Sequence, residues 1–432
     1  MRLLRFTGAL LLLTTTAFAQ PLLKSQVDHL VEQIDPKVIE WRRDFHQHPE
    51  LSNREFRTAE KVAAHLKSLG LEVTTGIAHT GVVGVLRGGR PGPVIGLRAD
   101  MDALPVTERV DIPFKSTAMG EYNGEQVGVM HACGHDTHVA IMMGVADVLT
   151  RIKSELAGTV VFVFQPAEEG PPEGEEGGAE LMVKEGLLEK YKIEAMFGLH
   201  INSQTPVGTI KYRAGGFMAA SDWFFVTVHG KQAHGASPWN GVDPIVVATQ
   251  IIQGFQTIVS RQAELTEQPA VITVGKFTSG VRANIIPEKA ELVGTIRTLD
   301  TAMRLDIHRR LVRTAEKIAE SAGARAEVRI EGKTPITLND PKLMARVLPS
   351  LQHAAGAANV VEQKPRTGAE DFGFFAQLVP SVYFTLGGMP ADQDPAVAAG
   401  HHTPDFYLDD SGLDLGVRAF CYIVLDYFKD NR

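Results

Sequence analysis

The stretch GTVVFVFQPAEEG, Gly158 to Gly170, decides the architecture. Its run Thr159–Phe164 has no polar face, so as a strand it must be covered on both sides, as in a largely parallel sheet. A turn at Pro166 then delivers two adjacent carboxylates, Glu168 and Glu169.

Similar apolar runs occur at Val82–Leu86, Val94–Leu97 and Ala195–Leu199. Helical patterns lie between and around them, at Val27–His48, Ala59–Leu69, Thr137–Thr150 and Ala179–Leu188. This alternation predicts an α/β domain with a buried sheet. The run ending at Leu97 leads to Asp100 and Asp102 in RADMDALP, and the run ending at Leu199 leads to His200. Polar ligand types thus follow three strand ends, where open α/β sheets bind their ligands.

From about Ser221 the texture changes. Strand Trp223–His229, helix Pro244–Ser260, strands Val271–Phe277 and Ala290–Thr298, helix Thr301–Ala322 and strand Ala326–Ile330 follow in order. That βαββαβ series is the ferredoxin-like α+β arrangement. We therefore expect a two-domain chain: a leader at 1–19, a first part of the α/β domain at 20–216, an insertion at 217–332, and a second part of the α/β domain at 333–432 that ends in a helix, Leu413–Phe428.

The chain has 432 residues, 44% hydrophobic and 22% charged, enough for a large core. A net charge of -8 without a basic cluster argues against a nucleic-acid or anionic-membrane partner. At the N-terminus, Arg2 and Arg5 precede a short apolar run, Gly8 to Leu13, and Ala17-Phe18-Ala19 reads as a cleavage site. That run is too short to span a bilayer, so the expectation is an exported protein, periplasmic or secreted, without stable membrane insertion.

Of the two cysteines, Cys421 lies in the apolar C-terminal stretch, whereas Cys133 lies among histidines in MHACGHDTH. That setting suits a thiolate ligand better than a disulfide partner. Gly134 lets Cys133 and His135 turn toward one ion. Thiolate, imidazole and carboxylate hold zinc-like dications, and a second carboxylate can take a proton from an activated water. Of Glu168 and Glu169, one would bind and the other act as base. His138 is expected to pack on the following helix. The pair His401-His402 in HHTPDF offers a further imidazole, and His234, Asn284 and Arg297 are polar residues of the insertion.

The segments RRDFHQHPELS, RADMDALP, MHACGHD, FQPAEEG, FGLH, GKQAHGASP, NIIPE, TGAEDFGFF and HHTPDF, in this order over nearly the whole mature chain, resemble the M20 metallopeptidases. The resemblance is to the amidohydrolase branch, which contains hippurate hydrolases, N-acyl-amino-acid hydrolases and auxin-conjugate hydrolases. It implies a metallopeptidase-like α/β catalytic domain with an inserted ferredoxin-like lid through which the chain forms a homodimer. It implies two divalent ions (Mn²⁺, Zn²⁺, Co²⁺ or Ni²⁺) held by Cys133, His135, Glu169, His200 and His402. Glu168 would then be the general base toward a metal-bound hydroxide, Asp102 an orienting residue and His234 an oxyanion donor. Asn284 and Arg297 would contact the carboxylate of an N-acyl-amino acid or dipeptide substrate. The implied reaction is hydrolysis of an acyl–amino-acid amide; the alternatives are a dipeptidase or carboxypeptidase, or a silent ligand-binding protein. The chain departs from the branch in the longer acidic loop Pro171–Gly178 and in its leader.

Overall fold

The computed structural model describes the backbone of residues 8–431 and the side chains of residues 22–431. The expected leader and its cleavage site lie outside the residues with described side chains. Among the described residues, no helix is long and apolar enough to cross a membrane.

The chain divides into two compact units. The first comprises Met1–Ala214, Asp340–Gln363 and Leu378–Arg432. Its strands are β1 (Glu72–Ile77), β2 (Gly81–Arg87), β3 (Arg90–Asp100), β4 (Ala157–Gln165), β5 (Ala195–Pro206), β6 (Ile210–Tyr212), β7 (Val360–Glu362) and β8 (Ser381–Met389). They form one eight-stranded sheet in the order β1-β2-β4-β3-β5-β8-β6-β7. The centre is parallel: Leu97 of β3 faces Phe162 of β4 on one side and Phe197 of β5 on the other. Strand β8 continues the parallel set beside β5, while β2 pairs antiparallel with β4. Every residue of β8, and all of β4 but Thr159, is buried, as continuous apolar runs require.

The principal helices of this unit are α1 (Gly8–Gln47), α2 (Phe56–Ser68), α3 (His135–Arg151), α4 (Pro341–Ala355) and α5 (Leu413–Asp430). Helix α3 is buried from His135 through Leu149, apolar on nearly every side, because it packs against α1, α5 and the central strands at once. The expected helix Ala179–Leu188 is two short ones, Gly178–Lys184 and Leu187–Tyr191, interrupted at Gly186 with φ +78°. Both cysteines are free and buried, so there is no disulfide between them.

Parallel β3 and β4 end at a common level, Asp100 facing Gln165, and Arg98 of β3 faces Gly198 of β5. One expectation changes here. His200 does not follow a strand end; β5 runs on to Pro206, and His200 pairs in register with Thr385 of β8. It still lies level with the end of β3, because that neighbour has stopped at Asp100.

The second unit comprises Gly215–Asn339 and Lys364–Gln377. Its antiparallel sheet orders the strands Ala270–Ser279, Lys289–Thr298, Ala220–His229 and Arg325–Thr334. Helices Pro244–Arg261 and Thr301–Ser321 close a separate core around Phe224, Ile251, Phe255 and Leu311. Asp243 and Asp300 cap them, accepting from Ile245 N–H and Met303 N–H. The unit reaches past the expected limit at 332 and takes in Lys364–Gln377, which the sequence reading gave to the returning catalytic part. Non-local bonds cause this: Arg366 N–H donates to the Phe217 carbonyl at 3.0 Å, and the Thr337 hydroxyl to the Glu370 carbonyl at 3.0 Å.

Candidate metal centre

Asp102 organises the centre from just beyond β3. Its Oδ2 accepts from the Ser52 hydroxyl at 2.7 Å and from Glu169 N–H at 3.0 Å. His135 opens α3, and its Nδ1 lies 2.8 Å from the Asp102 carbonyl oxygen and 3.2 Å from Asp102 Oδ1. Both partners are acceptors, so Nδ1 carries a hydrogen and Nε2 is the nitrogen turned to the centre. There Nε2 has no hydrogen-bond partner, although Asp100 Oδ2, Glu168 Oε2 and Glu169 Oε1 lie 3.7, 3.8 and 3.9 Å away. A buried nitrogen ringed by carboxylate oxygens beyond hydrogen-bond reach has the spacing of a cation cradle.

Gly134 makes the approach possible. Its φ is +91°, and a Cβ there would stand 2.5 Å from Ile201 Cγ2. Cys133 Sγ lies 3.4 Å from His200 Nε2 and 3.6 Å from His401 Nδ1. His200 Nδ1 donates to the Ile201 carbonyl at 2.6 Å, which leaves Nε2 toward the sulfur. His402, held at φ +60°, brings Nε2 to 3.1 Å from Glu169 Oε1.

These atoms form overlapping sets of potential ligands: Cys133 with Glu169 and His402, His135 with Glu168 and Glu169, and Cys133 with His200 and His401. His138 is near enough to join, but both ring nitrogens are engaged. Its Nε2 accepts from Ile201 N–H at 2.9 Å and its Nδ1 donates to Asp100 Oδ1 at 2.5 Å. It packs on α3, as expected.

The electrostatics call for positive charge. Burial opposes protonation of His135, but Asp100, Asp102 and Glu169 outweigh it and push the ring up to about 10. Burial, then Glu169, Glu168 and Asp100, hold the Cys133 thiol well above its ordinary range. A thiolate there needs a cation beside it. His200 is driven the other way, by burial and then His138 and His401, and stays neutral as a nitrogen ligand must. Thiolate, neutral imidazoles and carboxylates within one small volume suit divalent transition ions.

Three contributors were not singled out from the sequence. Ser52 holds Asp102. Glu55, buried, accepts from Ala167 N–H at 2.9 Å and from the Thr80 hydroxyl at 2.5 Å, bracing the turn before the glutamates, where Ala167 has φ +52°. His401 Nε2 accepts from Ser203 N–H at 3.4 Å, so its hydrogen sits on Nδ1 and points to Cys133. The HPELS segment and the doubled histidine were visible as motifs, but these bonds depend on distant backbone.

His234, Asn284 and Arg297 belong to the second unit. Gly235 N–H donates to the Asn284 carbonyl at 2.9 Å, so His234 and Asn284 are neighbours. Exposed His234 accepts from Ala236 N–H at Nδ1, 3.0 Å, which leaves a hydrogen on Nε2. Arg297 stands apart on its strand, opposite Ser221 and Val271.

The sequence profile of Peptidase family M20/M25/M40 matches residues 96–426. The chain belongs to this family. Among M20 relatives, thermostable carboxypeptidase 2 of Saccharolobus solfataricus is 39% identical over 399 residues, covering 92% of this chain and 97% of that one. N-acetylcysteine deacetylase of Bacillus subtilis is 35% identical over 397 residues, covering 91% and 98%. The crystal structure of the Bacillus subtilis protein YXEP, a dinuclear metal binding peptidase from the M20 family, matches with a TM-score of 0.77 at 32% identity, over 92% of this chain and 99% of that one. The large mixed α/β sheet and the two units described above are the two-domain M20 architecture.

Proposed function

We propose that this M20 chain is a two-metal amidohydrolase that cleaves the amide joining an acyl group to an amino acid. The observation that carries the proposal is the unbonded His135 Nε2 facing Asp100, Glu168 and Glu169 at 3.7–3.9 Å, beside the Cys133, Glu169 and His402 set. Cys133, His135, Glu169, His200 and His402 are assigned as ligands of two divalent ions. Bound there, the ions supply Lewis acidity, polarising the scissile carbonyl and acidifying water.

The chain's own groups do the rest. Glu168, half-buried at the edge of the cradle, accepts the proton of the attacking water and passes it to the departing nitrogen. Asp102 fixes the ring of His135 and the backbone of Glu169, holding two ligands in one geometry. His234, with its hydrogen on Nε2, is assigned to the developing oxyanion, and Asn284 and Arg297 to the substrate carboxylate. The reading includes export after cleavage near Ala19 and a homodimer formed through the second unit, whose edge strand Ala270–Ser279 exposes Val271 and Phe277.

The test is elemental analysis of the purified protein together with hydrolysis of hippurate, N-acetyl-amino acids and dipeptides, with and without chelator. We expect close to two equivalents of Zn²⁺, Mn²⁺, Co²⁺ or Ni²⁺ per chain, and turnover of acyl-amino acids that the chelator abolishes. Glu168→Gln should keep its metal and lose about a hundredfold or more in kcat. Normal turnover by the metal-loaded variant would remove Glu168 from the role of base. A second reading, carboxypeptidase action on short peptides, is favoured by the carboxypeptidase relative at 39% identity. Faster cleavage of dipeptides than of acetyl- or benzoyl-amino acids would select it.

A further inference from the structure

Beside Glu169, the first unit contains a cavity of about 340 Å³, of a size to take a small organic group. Leu51, Leu104, Pro105 and Tyr122 give it apolar walls. Besides Glu169 itself, its charged lining comes from three places: Glu121 on the hairpin Met119–Tyr122/Glu125–Gly128, Glu173 on the acidic loop, and Arg54 after the first helix.

The three charges away from Glu169 do not cancel. Arg54 is committed elsewhere: Nη2 donates to Glu175 Oε1 at 2.6 Å and Nη1 to Glu175 Oε2 at 3.1 Å. Glu175 is in turn anchored by Asn53 Nδ2 at 3.0 Å, and the same nitrogen donates to the Glu176 carbonyl at 3.0 Å. The acidic loop is thereby tied down with its one nearby guanidinium neutralised. Glu121 and Glu173, both exposed, have no ion-pair partner among the described residues. The cavity therefore combines apolar walls with two uncompensated carboxylates, and it opens on a candidate metal ligand.

We propose that this cavity is a specificity pocket for a substrate group with an apolar stem and a cationic head, such as a lysyl or arginyl side chain. The inference rests on the catalytic reading above and names the substrate class for that site. An aliphatic stem covers the apolar walls while its ammonium or guanidinium stays near Glu121 and Glu173 at the wet rim. The same carboxylates repel an anionic side chain, so selection acts in both directions.

The test compares substrates that differ only in the end of one side chain. Nα-acetyl-lysine, Nα-acetyl-norleucine and Nα-acetyl-glutamate vary the amine side; lysyl-glycine and norleucyl-glycine vary the acyl side. With full-length, metal-loaded enzyme, the lysine-to-norleucine ratio of kcat/KM should be about fivefold or more in one series, with glutamate slowest. The ratio should fall toward one in the double variant Glu121→Gln/Glu173→Gln. It should also fall in Glu175→Gln, which leaves the cavity carboxylates in place and frees Arg54. Calorimetric binding of free lysine and norleucine supplies a readout that does not need turnover. Equal binding of the two, with rate ratios near one in both series, overturns the pocket. Tighter binding of lysine by a metal-loaded enzyme that hydrolyses no amide upholds the pocket and sinks the catalytic reading.

Discussion

At the scale of single residues, the centre turns on Asp102, whose carboxylate and carbonyl together engage Ser52, His135 and the backbone of Glu169. Asp102→Asn changes no volume but sets an amide NH₂ against at least one of these donors. Loss of such a supporting carboxylate costs metal affinity about ten- to a hundredfold. The variant should keep its circular dichroism spectrum and give up metal to a chromophoric chelator at correspondingly lower concentration. The neighbouring His135 sets the pH dependence of the same equilibrium. Surrounding carboxylates hold its metal-free pKa up to about 10 against the opposing effect of burial, so at neutral pH an ion must displace a proton from Nε2. Cys133, held protonated in the absence of a cation, adds a second proton to be released. Affinity should therefore fall as pH falls, by about ten- to a hundredfold per unit below pH 8, and binding should release one to two protons. Titration calorimetry in buffers of different ionisation enthalpy counts them; zero release would contradict both assignments.

At the scale of elements, the critical junction is the entry to α3. Gly134 occupies a left-handed conformation and leaves no room for a Cβ beside buried Ile201, which as a β-branched strand residue has little freedom to move aside. Gly134→Ala should lose about 1–3 kcal/mol of stability from backbone strain, with more from the clash, and should bind metal poorly because Cys133 and His135 are no longer aligned. Denaturant midpoints and metal content measure the two effects separately. This junction was legible in the sequence because its logic is local: ligand, glycine, ligand, then helix. The strands were legible for the same reason, since apolar runs such as Thr159–Phe164 have one way to be buried. His200 was misplaced relative to its strand because β5 continues past its apolar run with Asn202, Ser203 and Gln204, a polar stretch that pairs with β8 at Asn202 and again at Pro206. The histidine pair shows the same limit. Nothing within HHTPDF separates His401 from His402; Ser203 N–H, far away in sequence, settles which nitrogen of His401 carries the hydrogen.

At the scale of the whole molecule, the two units own separate apolar cores, one around α3 and the central sheet, the other around Phe224, Phe255 and Leu311. The sequence announced the second core through its βαββαβ order, but not the return of Lys364–Gln377 to it, which rests on pairing with Phe217 and Thr337. The candidate ligands from Cys133 to His402 all belong to the first unit, which sets buried Asp100 and Asp102 and half-buried Glu168 and Glu169 around His135. An ion there replaces the proton that those carboxylates hold on His135, so metal binding is coupled to the stability of that unit. An ion present at a thousandfold over its dissociation constant adds about 4 kcal/mol to a folded state that binds it. Calorimetric unfolding should therefore resolve into two transitions, since each unit has a core of its own. Chelator should lower one of them by several degrees and leave the other in place. Glu168→Gln, which keeps the assigned ligands, should retain most of the metal-dependent shift, whereas Asp102→Asn should reduce it. A chelator effect of equal size on both transitions would mean that the metal centre stabilises the molecule as a single cooperative block, against the independence that the two cores imply.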